Sequence, residues 1–327
     1  MQSVITFEEH FLSDVFLSKN STAYQQQISH VPGLSEKLRD LGPVRLKHMD
    51  AGNVSVQVIS HAPGKMSPEE CRAANDQLAS AVSNRERFAG FAVLPMSEPK
   101  EAAVELRRCR QEHGFVGALI DNHSEGTYYD GPQYKSFWEA VEELNVPIYL
   151  HPTWPTDTVR EAMYSGSFQD SAALSLGSSG WGWHSDVAVH VFKLFAAGMF
   201  DTFPKLKIII GHMGEMIPFM LDRILQLSPR WGSRERNFKT VWDENIWITT
   251  SGVWSVDPMA CILRNTKIDH ILYSVDYPFA KNEDGLKFLK DLQASGLVDD
   301  KQFAQIVSEN AVVLLGLESK AQWSKKA

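Results

Sequence analysis

Eight short apolar runs recur at wide intervals along the chain, and they constrain its fold more than any other feature. They are Val4–Phe7, Val54–Ser60, Phe88–Leu94, Phe115–Asp121, Pro147–Leu150, Leu206–Ile210, Ile246–Thr250 and Ile271–Ser274. Several are apolar on both faces, as in Ile208-Ile209-Ile210. Strands read this way when a parallel sheet is covered by helices. Helical stretches separate most of them. Pro68–Arg85 opens on Ser67-Pro68-Glu69-Glu70, with a capping serine, a first-turn proline and acids at the positive helix end. Glu98–His113 stops at Gly114, Tyr134–Leu144 before Pro147, and Ser185–Met199 near Pro204. Met216–Leu227 follows the sixth run and Asp257–Arg264 the seventh, while Gly285–Leu292 and Lys301–Leu315 close the chain.

Strands and helices in alternation predict an α/β protein, a (β/α)8 TIM barrel forming a single domain over residues 1–317, with 318–327 as a basic tail. An open doubly wound sheet is the runner-up. No G-x-G-x-x-G follows a strand, which counts against a dinucleotide site. Two long connections, 11–53 and 152–184, would both lie on the catalytic face of a barrel as walls or lids.

The net charge of −8, without a basic block before the tail, argues against a nucleic-acid partner. Cys71, Cys109 and Cys261 are scattered and odd in number, which points to a reducing, cytoplasmic compartment and away from thiolate metal sites. The first apolar run stops at Glu8 with no basic region before it, so no signal peptide is expected. No window approaches the ~18 apolar residues of a membrane span.

A barrel makes a demand that the chain can be tested against: reactive residues should lie just beyond the C-terminal ends of strands. The first strand runs into Glu8-Glu9-His10, where alternation puts Glu8 and His10 on one face and Glu9 on the other. Later strand ends supply His61, Asp121-Asn122-His123, His151, His212 with Glu215, and Asp276. One such histidine is commonly satisfied by a backbone carbonyl; several on one rim suggest a site. Glu8, His10, His151 and Asp276 form an oxygen and nitrogen set suited to one divalent ion, Zn²⁺, Mn²⁺ or Mg²⁺.

Glu215, three residues after His212, could orient that imidazole, or could be an ordinary acid at a helix N-terminus. Gly211 and Gly214 would allow a tight strand-to-helix turn. Tyr24, Tyr128, Tyr129, Trp154, Trp181, Trp183, Tyr277 and Phe279 fall near rims and could sandwich a planar ligand, although loop packing explains any one of them. His30, His48, His184 and His190 have no comparable place and stay outside the expected site. Arg223 reads as a surface residue.

Phe7-Glu8-Glu9-His10-Phe11, Tyr149-Leu150-His151-Pro152, Gly211-His212-Met213-Gly214-Glu215 and Ser274-Val275-Asp276-Tyr277-Pro278 occur in the order found in metal-dependent decarboxylases of the amidohydrolase superfamily. The chain resembles most the ortho-hydroxybenzoate decarboxylases acting on γ-resorcylate, 2,3-dihydroxybenzoate or salicylate. Phe115–Ile120, Phe203–Lys207 and Asn245–Gly252 share the resemblance. It implies one divalent metal on Glu8, His10, His151 and Asp276, no organic cofactor, a small aromatic acid substrate, and a homodimer or homotetramer. It also implies Asp276, His212 and Glu215 as the catalytic group, and Arg223 reaching a neighbouring subunit's pocket. Tyr24, Phe279 and Trp183 are the further candidates for contact with substrate. The rival reading is a metal-dependent hydrolase of a lactone or amide in the same superfamily. Many of those carry His-x-His where this chain has Glu-x-His, which favours decarboxylation.

Overall fold

The computed structural model describes residues 3–19, 33–83 and 86–317. All eight expected strands form: β1 (Ile5–Phe11), β2 (Val56–His61), β3 (Phe88–Ala92), β4 (Gly117–Asp121), β5 (Ile148–His151), β6 (Ile208–Ile210), β7 (Ile246–Thr249) and β8 (Ile271–Leu272). They make one parallel sheet in the order β1 to β8. A bridge between Glu9 and Tyr277, with the His10 N–H donating to the Tyr277 carbonyl at 2.6 Å, joins the two ends. The result is a (β/α)8 barrel.

The helices between strands are α1 (Pro43–Ala51), α2 (Pro68–Ser83), α3 (Pro99–Glu112), α4 (Lys135–Leu144), α5 (Gly182–Ala196), α6 (Ile217–Leu227), α7 (Phe238–Asn245) and α8 (Val256–Asn265). α9 (Asn282–Ser295) and α10 (Asn310–Leu315) follow the last strand. Both strand faces are apolar because two separate cores use them. Ile5, Phe7, Val58, Phe91, Tyr149 and Ile209 meet inside the barrel, together with Ala311, Leu314 and Leu315 of α10. Ile59, Phe88, Ile120, Leu150 and Ile210 pack outward against the helices.

The structure departs from the expected elements in several places. The 11–53 connection contains Leu34–Arg39 and α1 rather than open loop. α5 begins at Gly182, three residues earlier than its polar start suggests. α7 is an added helix, capped by the Asn237 side chain accepting from Thr240 N–H. Lys301–Leu315 is interrupted by a wider turn at Gln305–Glu309. Among the described residues no helix is long and apolar enough to cross a membrane.

β1 does not stop at Phe7 but continues to Phe11, and it changes phase on the way. Thr6 pairs with Gln57 but Glu9 with Ile59, so three residues of β1 oppose two of β2. That extra residue is a β-bulge, which re-aims the side chains after it. Ile5 and Phe7 face the interior core, and beyond the bulge Glu8 and His10 turn to the same cavity.

Glu9 points the other way and is fully buried. Its carboxylate accepts from the N–H groups of Val275 (3.2 Å) and Tyr277 (3.1 Å) and from the Gln57 amide (3.2 Å). Burial pushes its carboxyl up to about 8, against the Val275 and Tyr277 N–H groups that favour the anion. Glu9 thus holds the chain segment that carries Asp276 against β1. Glu9→Gln, which keeps an acceptor, is expected to leave metal content at the wild-type level. Glu9→Ala strands two buried N–H groups and should cost roughly 3 kcal/mol in a urea titration. Metal loss in the glutamine variant would contradict this placement.

Candidate active site

The strand ends bring Glu8, His10 and His151 together with ligand atoms within 4.8 Å of one another, and Glu8, Asp276 and His212 form an overlapping group. His151 Nδ1 donates to the Pro152 carbonyl at 2.7 Å, which leaves Nε2 to face Glu8 Oε1 at 3.1 Å. His10 Nε2 lies 3.3 Å from Asp276 Oδ1. Burial, then the neighbouring His151, lower His10 to about 3, so its ring is neutral and carries a free lone pair. Asp276 sits at a positive φ of 75°, a sparsely populated conformation for a non-glycine residue.

Glu8 is oriented by Tyr149, a residue that sequence reading left out of the site. The Tyr149 hydroxyl donates to Glu8 Oε2 and lies 2.9 Å from Thr249 Oγ1, which is itself 2.8 Å from Ser251 Oγ. The signal for it was present: residues two apart on a strand share a face, so Tyr149 had to lie beneath His151. Burial opposes ionisation of Glu8, but the His212 charge and the contact with His151 outweigh it and hold the carboxyl far below its usual range.

The donor set fits a divalent metal. Glu8 Oε1, His10 Nε2 and Asp276 Oδ1 are all buried and have no hydrogen-bond partner in the protein. Buried polar atoms rarely stay unpaired, and here they converge. With two carboxylates and two imidazoles, they have the donor types that a divalent cation takes.

The turn after β6 is not the right-handed helix start expected for it. His212, Met213, Gly214, Glu215 and Met216 all have positive φ, from 48° to 88°, and α6 begins only at Ile217. Left-handed backbone costs on the order of 1 kcal/mol for each non-glycine residue. The turn brings Glu215 Oε1 to 2.8 Å from His212 Nδ1. Glu215 is fully buried and lies two residues before the start of α6. Its second oxygen meets His184 Nδ1 at 2.8 Å, and His184 therefore belongs beside the site that sequence reading excluded it from. Burial would lower the His212 imidazole, but Glu215 and Glu8 raise it to about 10.

Of the remaining candidates, Phe279 packs against His10, its ring 5.5 Å away and 41% exposed. Trp183 packs edge-on against Trp154 at 5.1 Å, beside His184 in the chain. Arg223 is exposed on α6. Tyr24 lies outside the described residues. Tyr129 and Tyr277 are buried, and Tyr128 donates to Asp186, so packing accounts for these three. His61 is held by Ser13 N–H and the Ala62 carbonyl. Asp121, which pairs with His151 across the sheet, borders a cavity of about 580 Å³ that also reaches His123 and Trp154. None of Glu8, His10, His151, His212 and Asp276 lines that cavity.

Gly211 shows how tightly the centre is packed. A Cβ there would stand 2.9 Å from the Tyr149 hydroxyl and 3.0 Å from Glu8 Oε2. Gly211→Ala is expected to weaken metal affinity roughly 10–100-fold, by displacing the group that orients a ligand, with an unchanged far-UV circular dichroism spectrum. Full metal occupancy at limiting metal would contradict it.

The chain matches the amidohydrolase family model over residues 22–317. It is 51% identical to decarboxylase orsB of Emericella nidulans, with 98% of each chain covered. It is 38% identical to γ-resorcylate decarboxylase of Rhizobium radiobacter, over 85% of this chain and 89% of the other. Among solved structures, the dihydroxybenzoic acid decarboxylase of Polaromonas sp. JS666, with bound manganese and the inhibitor 2-nitroresorcinol, superposes with a TM-score of 0.85 at 32% identity, covering 97% of this chain and 98% of that one. On these matches and on the barrel, the chain belongs to the amidohydrolase family, among its metal-dependent decarboxylases.

Proposed function

We propose that the protein removes CO2 non-oxidatively, and reversibly, from an ortho-hydroxybenzoate such as 2,3- or 2,6-dihydroxybenzoate or salicylate. Glu8, His10, His151 and Asp276 would hold one divalent ion. The observation that carries this reading is the convergence of buried ligand atoms without protein partners at the barrel mouth. Relatives named for γ-resorcylate and a structure holding a nitroresorcinol support the substrate class.

Direct loss of CO2 would leave an unstabilised carbanion in the ring plane. Protonation of the carboxylate-bearing carbon instead breaks aromaticity and makes the ring an electron sink. A bound divalent ion supplies positive charge that favours the ortho oxygen as phenolate and fixes the ring in register. Asp276 gives its proton to that carbon, forming the C–H bond. The C–C bond then breaks, its electron pair restores the aromatic ring, and CO2 leaves; solvent reprotonates Asp276. His212, oriented by Glu215, presents Nε2 near Glu8 Oε1 (4.0 Å) and steadies negative charge on the substrate. Phe279 and Trp183 flank the ring.

Arg223 lies on the same exposed face of α6 as Phe219 and Met220, which are 67% and 53% exposed. Such a face supports a homodimer or homotetramer in which Arg223 serves a neighbouring pocket. Three free cysteines support a cytoplasmic setting.

Metal analysis together with CO2 release from the three named acids tests this reading. About one metal per chain and CO2 from at least one acid are expected. Metal without CO2 from any of them would favour the lactone or amide hydrolase. Asp276→Asn should retain metal and lose at least roughly 100-fold in kcat, as removal of a general acid does. Near-normal turnover by that variant would remove Asp276 from its role.

A further inference from the structure

Glu215 is held between two imidazoles, and only one of them belongs to the reaction as described. Its Oε1 faces His212 Nδ1 and its Oε2 faces His184 Nδ1, each at 2.8 Å. The two rings meet edge to face at 4.6 Å. His184 is anchored on its far side as well, with Nε2 3.1 Å from the Ser179 carbonyl. Both of its ring nitrogens therefore face oxygens that only accept. His184 lies in the first turn of α5, and that helix is itself tied to the end of β4. Asn122 donates to Asp186 at 2.8 Å, and its amide oxygen lies 3.1 Å from His190 Nδ1. The ring of His184 is thus placed by rigid elements, whereas the turn carrying Glu215 has strained, left-handed backbone.

We propose that His184 is a positioning residue for His212, acting through Glu215. By fixing Oε2 it sets the plane of the Glu215 carboxylate, and that plane aims Oε1 at His212 Nδ1. The His212 ring is thereby held with Nε2 turned toward the metal cluster. The contact with Ser179 also ties this aim to the segment that precedes α5. A second metal ion on His184, His212 and Glu215 is the competing use of these atoms, which are close enough together for it. The hydrogen bonding favours positioning. Each Glu215 oxygen already has an imidazole partner, whereas Glu8 Oε1, His10 Nε2 and Asp276 Oδ1 have none.

The activity arm of the test rests on the decarboxylase reading; the spectroscopic arm does not. His184→Ala and His184→Asn are compared with the wild-type holoenzyme, since asparagine keeps an N–H donor near the position of Nδ1. In His184→Ala, kcat is expected to fall roughly 10–100-fold, as for loss of a partner that orients a site residue, with KM changed less than about 3-fold and metal per chain unchanged. His184→Asn should recover most of that loss. In long-range 1H–15N spectra the Nδ1-bound proton of His212 should shift or vanish in the alanine variant and return in the asparagine variant. An unchanged His212 resonance in His184→Ala overturns the proposal whatever the substrate is. Loss of one metal equivalent from that variant overturns it in favour of a second ion. Equal loss of kcat and thermal midpoint in both variants, with no rescue by asparagine, overturns it in favour of a purely structural role.

Discussion

The carboxylate of Glu8 is fully buried, and its charge has to be met from inside the barrel. One oxygen takes the Tyr149 hydroxyl, which is backed by Thr249 and Ser251; the other is left facing His151, with His10 and Asp276 close by. An isolated buried carboxylate costs several kcal/mol. A divalent cation at the point where these atoms converge would remove that cost and satisfy the other unpaired atoms at once. The surrounding structure is arranged to keep them there. The bulge in β1 turns Glu8 and His10 inward, Glu9 clamps the segment bearing Asp276, and Gly211 leaves room for Glu8 and Tyr149.

Much of this was legible in the sequence. Runs such as Ile208-Ile209-Ile210 are apolar on both faces because barrel strands separate two cores, and all eight were recognisable. The candidate ligands were legible because they sit one to three residues past those runs. The bulge was not: it involves no glycine, and simple alternation from Phe7 would have sent Glu8 away from the interior. The correct pairing of Glu8 with His10 survived because the change of phase precedes both. The left-handed turn at 212–216 was hidden for a related reason, since four of its five residues have side chains that disfavour that backbone. His184 escaped because its partner lies 31 residues on, and because α5 begins before its apolar pattern does.

The barrel by itself says little about chemistry, because this architecture carries many reactions. What narrows the choice is local. A Glu-x-His at the first strand puts a second carboxylate near Asp276, and a buried Glu215 held between His184 and His212 lies beside it. Phe279 packs against His10 beside these groups, and Trp183 packs against Trp154. The family relationship and the site's geometry point the same way from independent starting points.

Anomalous diffraction from crystals grown with Zn²⁺ tests the central claim most directly. The account requires one strong peak enclosed by Glu8 Oε1, His10 Nε2, His151 Nε2 and Asp276 Oδ1, at roughly 2.0–2.2 Å from each ligand atom. A peak lying instead between His184 and Glu215, or no ordered ion among the four ligands at saturating metal, would contradict it.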